Sequence, residues 1–155
     1  SVRIVYNEFI KAMLNDNVRM MNAFMNKVAL NTFSFFDSGN KPSEETEPER
    51  FYHGFVLGMV VNLADTYKIQ SNRESGYGRY DVMLKPFDKG GKAFIFEFKV
   101  LNPYEDEKTL KETLANAHSQ IEEKQYEAEL ISEGFAPGQI RKYGFAFQGK
   151  TCLIG

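Results

Sequence analysis

The residues best equipped for chemistry lie in the run Ala93-Phe-Ile-Phe-Glu-Phe-Lys-Val-Leu101, where a carboxylate and an ammonium interrupt an apolar stretch. Alternation at period two puts Phe94, Phe96 and Phe98 on one face of a strand and Ile95, Glu97 and Lys99 on the other. Charges half-buried in such a strand are costly unless they are paired or used. Asp81 lies in a second extended run, Arg79 to Lys85, and fifteen residues separate it from Glu97. Two carboxylates on neighbouring strands suit Mg²⁺ or Mn²⁺: magnesium takes oxygen ligands and is usually held by one or two carboxylates together with waters and substrate phosphate. Lys99 would lie about 6–7 Å along the strand from Glu97 on the same face. From there its side chain would orient an attacking water, deprotonate it as the neutral amine, or as the ammonium neutralise charge developing on the phosphoryl group. The chemistry implied is metal-dependent phosphodiester hydrolysis. A solvent-facing strand would carry such charges too, but the phenylalanines around these argue for a central strand.

Further candidates flank that pair. Glu49 and His53 are four residues apart at the start of a helical segment, so they share a face and can point at a common place. Arg73, Glu74 and Arg79 bracket the glycine-containing turn before Asp81. The arginines suit bidentate contacts to phosphate, and the set equally suits salt bridges that fix a hairpin. Gly76 and Gly78 read as backbone-geometry residues, because no Walker-type lysine follows them. His118 reads as a surface histidine.

Several elements must position these groups. Residues 2–35 carry apolar side chains at helical spacing, broken at Asn15-Asp-Asn17, which predicts two amphipathic helices. A polar stretch from Asp37 to Pro48 reads as a linker. Pro48 opens a helix from Glu49 to about Thr66, with Phe51, Phe55, Met59 and Leu63 inward. Strands follow at Tyr67–Arg73, in the Asp81 run and in the Glu97 run. A long helix is expected over Asp106 to Ser132, then short strands at Arg141–Phe147 and Thr151–Ile154. Glu122, Glu123, Lys124, Glu127 and Glu129 read as a mostly acidic, solvated helix face. The order of elements describes an α/β domain with a mixed sheet.

Bulk properties narrow the function classes. A chain of 155 residues, 43% hydrophobic, builds one ordinary core. Its net charge of −2 argues against a generally basic nucleic-acid coat, so any such site must be local or helped by metal ions. One cysteine, Cys152, excludes an internal disulfide and a cysteine zinc cage, and fits a reducing cytoplasm. No apolar run is long enough to span a bilayer, and no membrane partner is expected. The chain lacks an initiator Met and reads as a piece of a longer protein.

Three segments together, Glu49-Arg-Phe-Tyr-His-Gly-Phe55, Ser71-Asn-Arg-Glu-Ser-Gly-Tyr-Gly-Arg-Tyr-Asp81 and Phe96-Glu-Phe-Lys99, resemble the PD-(D/E)XK nuclease superfamily. Within it the chain is similar to the nuclease-like domain that follows an AAA-ATPase-like domain in bacterial proteins of unassigned function. The resemblance covers residues 48–155, and residues 1–47 are similar to the segment that joins the two domains. It implies a restriction-endonuclease-like core with a mixed sheet of about four strands flanked by helices. It implies Asp81, Glu97 and Glu49 as metal-binding acids, Lys99 as the catalytic lysine, and His53 as a companion of Glu49. Related nucleases carry Gln-x-x-x-Tyr on the second helix. Here Gln120 is followed four positions on by Lys124, and Tyr126 comes two later. Gln120 is therefore a substrate or site contact by resemblance, whereas Tyr126 departs from the pattern. Tyr80 stands where a proline is usual.

The function expected is a Mg²⁺-dependent endonuclease acting on DNA, a class in which homodimers that cut both strands are common. The competing expectation is a module that keeps the nuclease fold and binds nucleic acid or a partner without cutting. Strand preference, sequence preference and DNA against RNA are left open by the residues.

Overall fold

A computed structural model describes residues 2–36, 47–74 and 79–155. Three helices come first: α1 (Val2–Leu14), α2 (Val18–Phe36) and α3 (Glu47–Val61). A meander of β1 (Tyr67–Glu74), β2 (Arg79–Pro86) and β3 (Ala93–Val100) follows. Two further helices, α4 (Leu110–Glu123) and α5 (Tyr126–Ser132), lead to β4 (Ile140–Gln148) and β5 (Thr151–Ile154). The strands form one sheet in sequence order, antiparallel at every step except the parallel pair β3–β4. Parallel neighbours need a crossover, and α4 with α5 provides it. The expected α/β architecture with a mixed sheet flanked by helices is present, and its five strands are the five read from the sequence, one more than the about four that the resemblance implies.

The period-two alternation of β3 sorts the helices. Phe94, Phe96 and Phe98 join Tyr80, Val82, Leu84, Phe145 and Phe147 on one face, packed against Phe9, Met13, Met21, Met25, Tyr52 and Val56 of α1–α3. The rings interlock there, with Phe96 edge-on to Phe145 at 5.3 Å between centroids. Met83, Ala93, Ile95 and Ile140 on the opposite face pack against Ile121 of α4 and Leu130 of α5. Glu97 and Lys99 therefore lie under the crossover helices, on the less aromatic side.

The two N-terminal helices form as their spacing predicts, with the break where Asn15-Asp-Asn17 stands. Asp16 takes a left-handed backbone there, φ 55°. Its carboxylate receives Lys92 and Arg141 at 2.9 Å each and the Tyr143 hydroxyl at 2.7 Å, which fastens the turn to the sheet. One helical turn apart on α2, the Asn22 and Asn26 side chains each bond both backbone groups of one β5 residue, Ile154 and Cys152. They cover backbone groups that an edge strand would otherwise offer to another chain.

The long helix expected over Asp106 to Ser132 is two helices. Thr109 caps the first, accepting the Glu112 N–H, so α4 starts only at Leu110. It stops at Lys124, and Gln125 adopts φ 55° before α5 begins. The cause lies in helix geometry. Residues two apart point to nearly opposite sides of a continuous helix, yet Lys124 and Tyr126 both turn toward the same carboxylate. The left-handed residue between them re-aims the second. Helix α3 ends at Val61, earlier than its apolar spacing implies.

Candidate active site

The β2–β3 register sets Asp81 directly opposite Glu97, with Asn72 of β1 beside Asp81 and Gly144 of β4 beside Glu97. Asn72, Asp81 and Glu97 thus make a polar row across β1, β2 and β3, with Gly144 next to it on β4. Asp81 is 2% exposed and Glu97 is fully buried. Two carboxylates side by side at such depth repel one another unless a cation lies between them. The Lys124 ammonium fills that role, 3.1 Å from Asp81 Oδ2 and 3.2 and 3.5 Å from the two Glu97 oxygens. The Tyr126 hydroxyl donates to the same Asp81 oxygen at 2.9 Å. Burial first, and then its bond to Asp81, push the Tyr126 phenol up to about 12, so it remains a donor at neutral pH.

Gly144 lets α4 come this close. A Cβ at that position would stand 2.6 Å from Leu114 Cδ1 and 3.3 Å from Ala117 Cβ, both on the helix that carries Lys124. Glycine is favoured here by the approach of a helix, since its backbone is an ordinary part of β4.

Lys99 lies two residues beyond Glu97 on the same face, 1% exposed, and turns to a different acid. Its ammonium meets Glu107 Oε2 at 2.5 Å and Glu105 Oε2 at 3.0 Å. Glu107 is buried as well, and Asn116, Thr113 and the Asn102 N–H complete its coordination. Burial works to raise the Glu107 carboxyl, but these hydrogen bonds and the Lys99 charge outweigh it and hold it below the usual range.

A family model described as the PD-(D/E)XK nuclease superfamily matches residues 47–155. The chain belongs to that superfamily. No curated protein and no solved structure matches it.

For the superfamily's chemistry the first question is whether the acids present fit a divalent ion. Asp81 and Glu97 do: their oxygens converge on one point, now held by an ammonium, and carboxylate oxygens are the donors that Mg²⁺ and Mn²⁺ prefer. Among the described residues no group of three His, Cys, Asp or Glu side chains gathers. Glu49 and His53 fall within α3, Arg73 on β1 and Arg79 on β2, but their side chains lie outside the described ones, as do Gly76 and Gly78.

Gln120 donates its amide to Glu123 Oε2 at 3.4 Å. One helical turn on, Lys124 stands at the fourth position after Gln120, and its ammonium reaches the carboxylates. Tyr126, off-pattern in sequence, reaches Asp81 through the break at Gln125. The acidic face is solvated at Glu122 and Glu123, as read, and is also tied to the sheet. Glu129 and Glu133 hold Lys85, Glu122 and Glu127 hold Lys142, and Lys124 within it is only 16% exposed. His118 is half-buried, its Nε2 2.8 Å from the Gly155 carbonyl oxygen.

Sequence reasoning missed Lys124 and Glu107 as members of the site. The substitution at the fourth position after Gln120 was the signal for the first. For Glu107 the only signal was indirect: a lysine on a buried strand face demands an acid nearby.

Proposed function

We propose that the protein is a nuclease that hydrolyses DNA phosphodiester bonds with Mg²⁺ or Mn²⁺ held by Asp81 and Glu97. The observation that carries this reading is the convergence of two buried carboxylates, opposed across β2 and β3, on a single cation position. Membership of the superfamily supports the same reaction class. A divalent ion there would supply Lewis acidity, polarising a phosphoryl oxygen and lowering the pKa of a water. Asp81 and Glu97 hold and orient that ion, with Glu49 as the third acid. Lys99, two residues beyond Glu97 on the same face, is the proposed catalytic lysine, and its ammonium would act on the developing charge once released from Glu107 and Glu105. Tyr126 fixes the Asp81 carboxylate by hydrogen bonding. Arg73, Arg79, His53 and Gln120 are the proposed contacts to the nucleic acid. In this reading residues 1–47 lead from an upstream ATPase-like domain, the protein acts in the cytoplasm, and a homodimer would cut both strands. Among the described residues no helix is long and apolar enough to cross a membrane.

A second reading has its own observation. The ammonium of Lys124 sits where the ion would bind, and Lys99 is engaged by Glu107 and Glu105. Both would suit a module that keeps the fold and binds nucleic acid or a partner without cutting it.

Nicking of supercoiled plasmid in Mg²⁺ or Mn²⁺ separates the two. Wild-type protein should nick, and Glu97→Gln should lose about a hundredfold or more with its circular dichroism intact. Nicking that persists in the Asp81→Asn, Glu97→Gln double variant would remove the nuclease reading. A wild type that binds DNA without cutting it would establish the module.

A further inference from the structure

We propose that Lys124 is an internal counter-ion that couples metal loading to nucleic-acid binding: its ammonium neutralises Asp81 and Glu97 in the metal-free protein and is drawn away by a phosphodiester as the ion enters. This rests on the reading of Asp81 and Glu97 as metal ligands.

The geometry makes the two cations exclusive. The Lys124 ammonium lies 3.1 Å from an Asp81 oxygen and 3.2 Å from a Glu97 oxygen. An ion bound to both carboxylates at about 2.0–2.1 Å would overlap it, so the ammonium must move first. Moving it without replacement would leave two buried like charges facing one another, so neither departure alone is favourable.

Lys124 is also built to move. It is the C-cap of α4, where helix hydrogen bonding ends, and its neighbour Gln125 has already left helical geometry. Its side chain is 16% exposed, whereas those of Asp81 and Glu97 are 3% and 0% exposed. Lys124 is thus the outward-facing member of the cluster, on a flexible four-carbon stem. Lys99 offers no such freedom, being 1% exposed and bound to Glu107.

A phosphodiester arriving at this face gives the ammonium a new anion while the ion takes its former place. Each ligand then removes a cost from the other, and thermodynamic linkage makes the effect reciprocal. The protein would stay sparsely loaded with metal until nucleic acid is bound.

The test is calorimetric titration of Mn²⁺ into wild type, Lys124→Met and Asp81→Asn, each with and without a phosphorothioate DNA duplex that resists cleavage. Without DNA, Lys124→Met should bind Mn²⁺ about tenfold more tightly than wild type, and Asp81→Asn should not bind. The duplex should tighten Mn²⁺ binding to wild type by about fivefold or more, within the usual range of coupling, and change Lys124→Met far less. Should Lys124→Met fail to fold without metal, Lys124→Gln keeps a donor to the carboxylates without the charge and should show the same tightening. Affinity no tighter in these variants than in wild type, with Asp81→Asn still abolishing binding, overturns the counter-ion role and leaves the metal site standing. Tighter binding with an undiminished DNA effect overturns the coupling. Absence of Mn²⁺ binding in every variant removes the counter-ion role and the metal reading together.

Discussion

Lys99 and Glu107 form a buried ion pair, 2.5 Å apart, in which each carboxylate oxygen of Glu107 accepts two hydrogen bonds. Burying an ion pair is expensive, and such complete coordination is what makes it tolerable. Glu107→Ala would leave the Lys99 ammonium buried with Glu105 as its remaining acid. We expect a loss of about 3–5 kcal/mol in urea-melt stability. A loss below about 1 kcal/mol would mean that the pair does not form as described.

Gly144 predicts a packing defect rather than a backbone one. Alanine there would meet Leu114, which can swing, and Ala117, which cannot. Gly144→Ala should cost about 1–3 kcal/mol by overpacking. It should also shift α4, so Mn²⁺ affinity should change along with thermal stability. A variant as stable as wild type would show that α4 has room to spare.

Asp16 predicts a pH dependence. Burial works to raise its carboxyl, but bonds from Lys92, Tyr143 and Arg141 outweigh this and lower it from 3.8 to about 2. Because the folded value is depressed, the stabilisation is complete above the unfolded value and is lost as pH falls through the folded one. With that side chain 29% exposed, we expect Asp16→Asn to cost about 1–2 kcal/mol at pH 7. The gap between variant and wild type should narrow below about pH 4 and nearly close at pH 2. Denaturation curves across that range check it, and a gap constant with pH would contradict it.

How far the sequence foretold this arrangement depends on how local the deciding interactions are. The alternation in β3 was legible because a strand's period is two, and it placed Glu97 and Lys99 together on one face. The break between α1 and α2 was legible in three consecutive turn-forming residues. The break at Gln125 was not, since neither glycine, asparagine nor proline marks it and its cause is contact with a distant strand. Without that break Lys124 and Tyr126 could not both face Asp81, which is why a pattern of helical spacing missed them. Glu107 sits in an irregular segment before the Thr109 cap, where periodicity has nothing to say. The asparagine bonds from α2 to β5 join residues 126 and 132 positions apart and leave no local trace.

The central claim is that Asp81 and Glu97 share a divalent ion. Crystals soaked in Mn²⁺ with a short DNA duplex test it most directly, through the anomalous signal of the metal. The account predicts one peak about 2.0–2.2 Å from oxygens of both carboxylates, with the Lys124 ammonium displaced from its position between them. Density that shows Lys124 still bridging Asp81 and Glu97 at saturating Mn²⁺, with no peak between them, would contradict it.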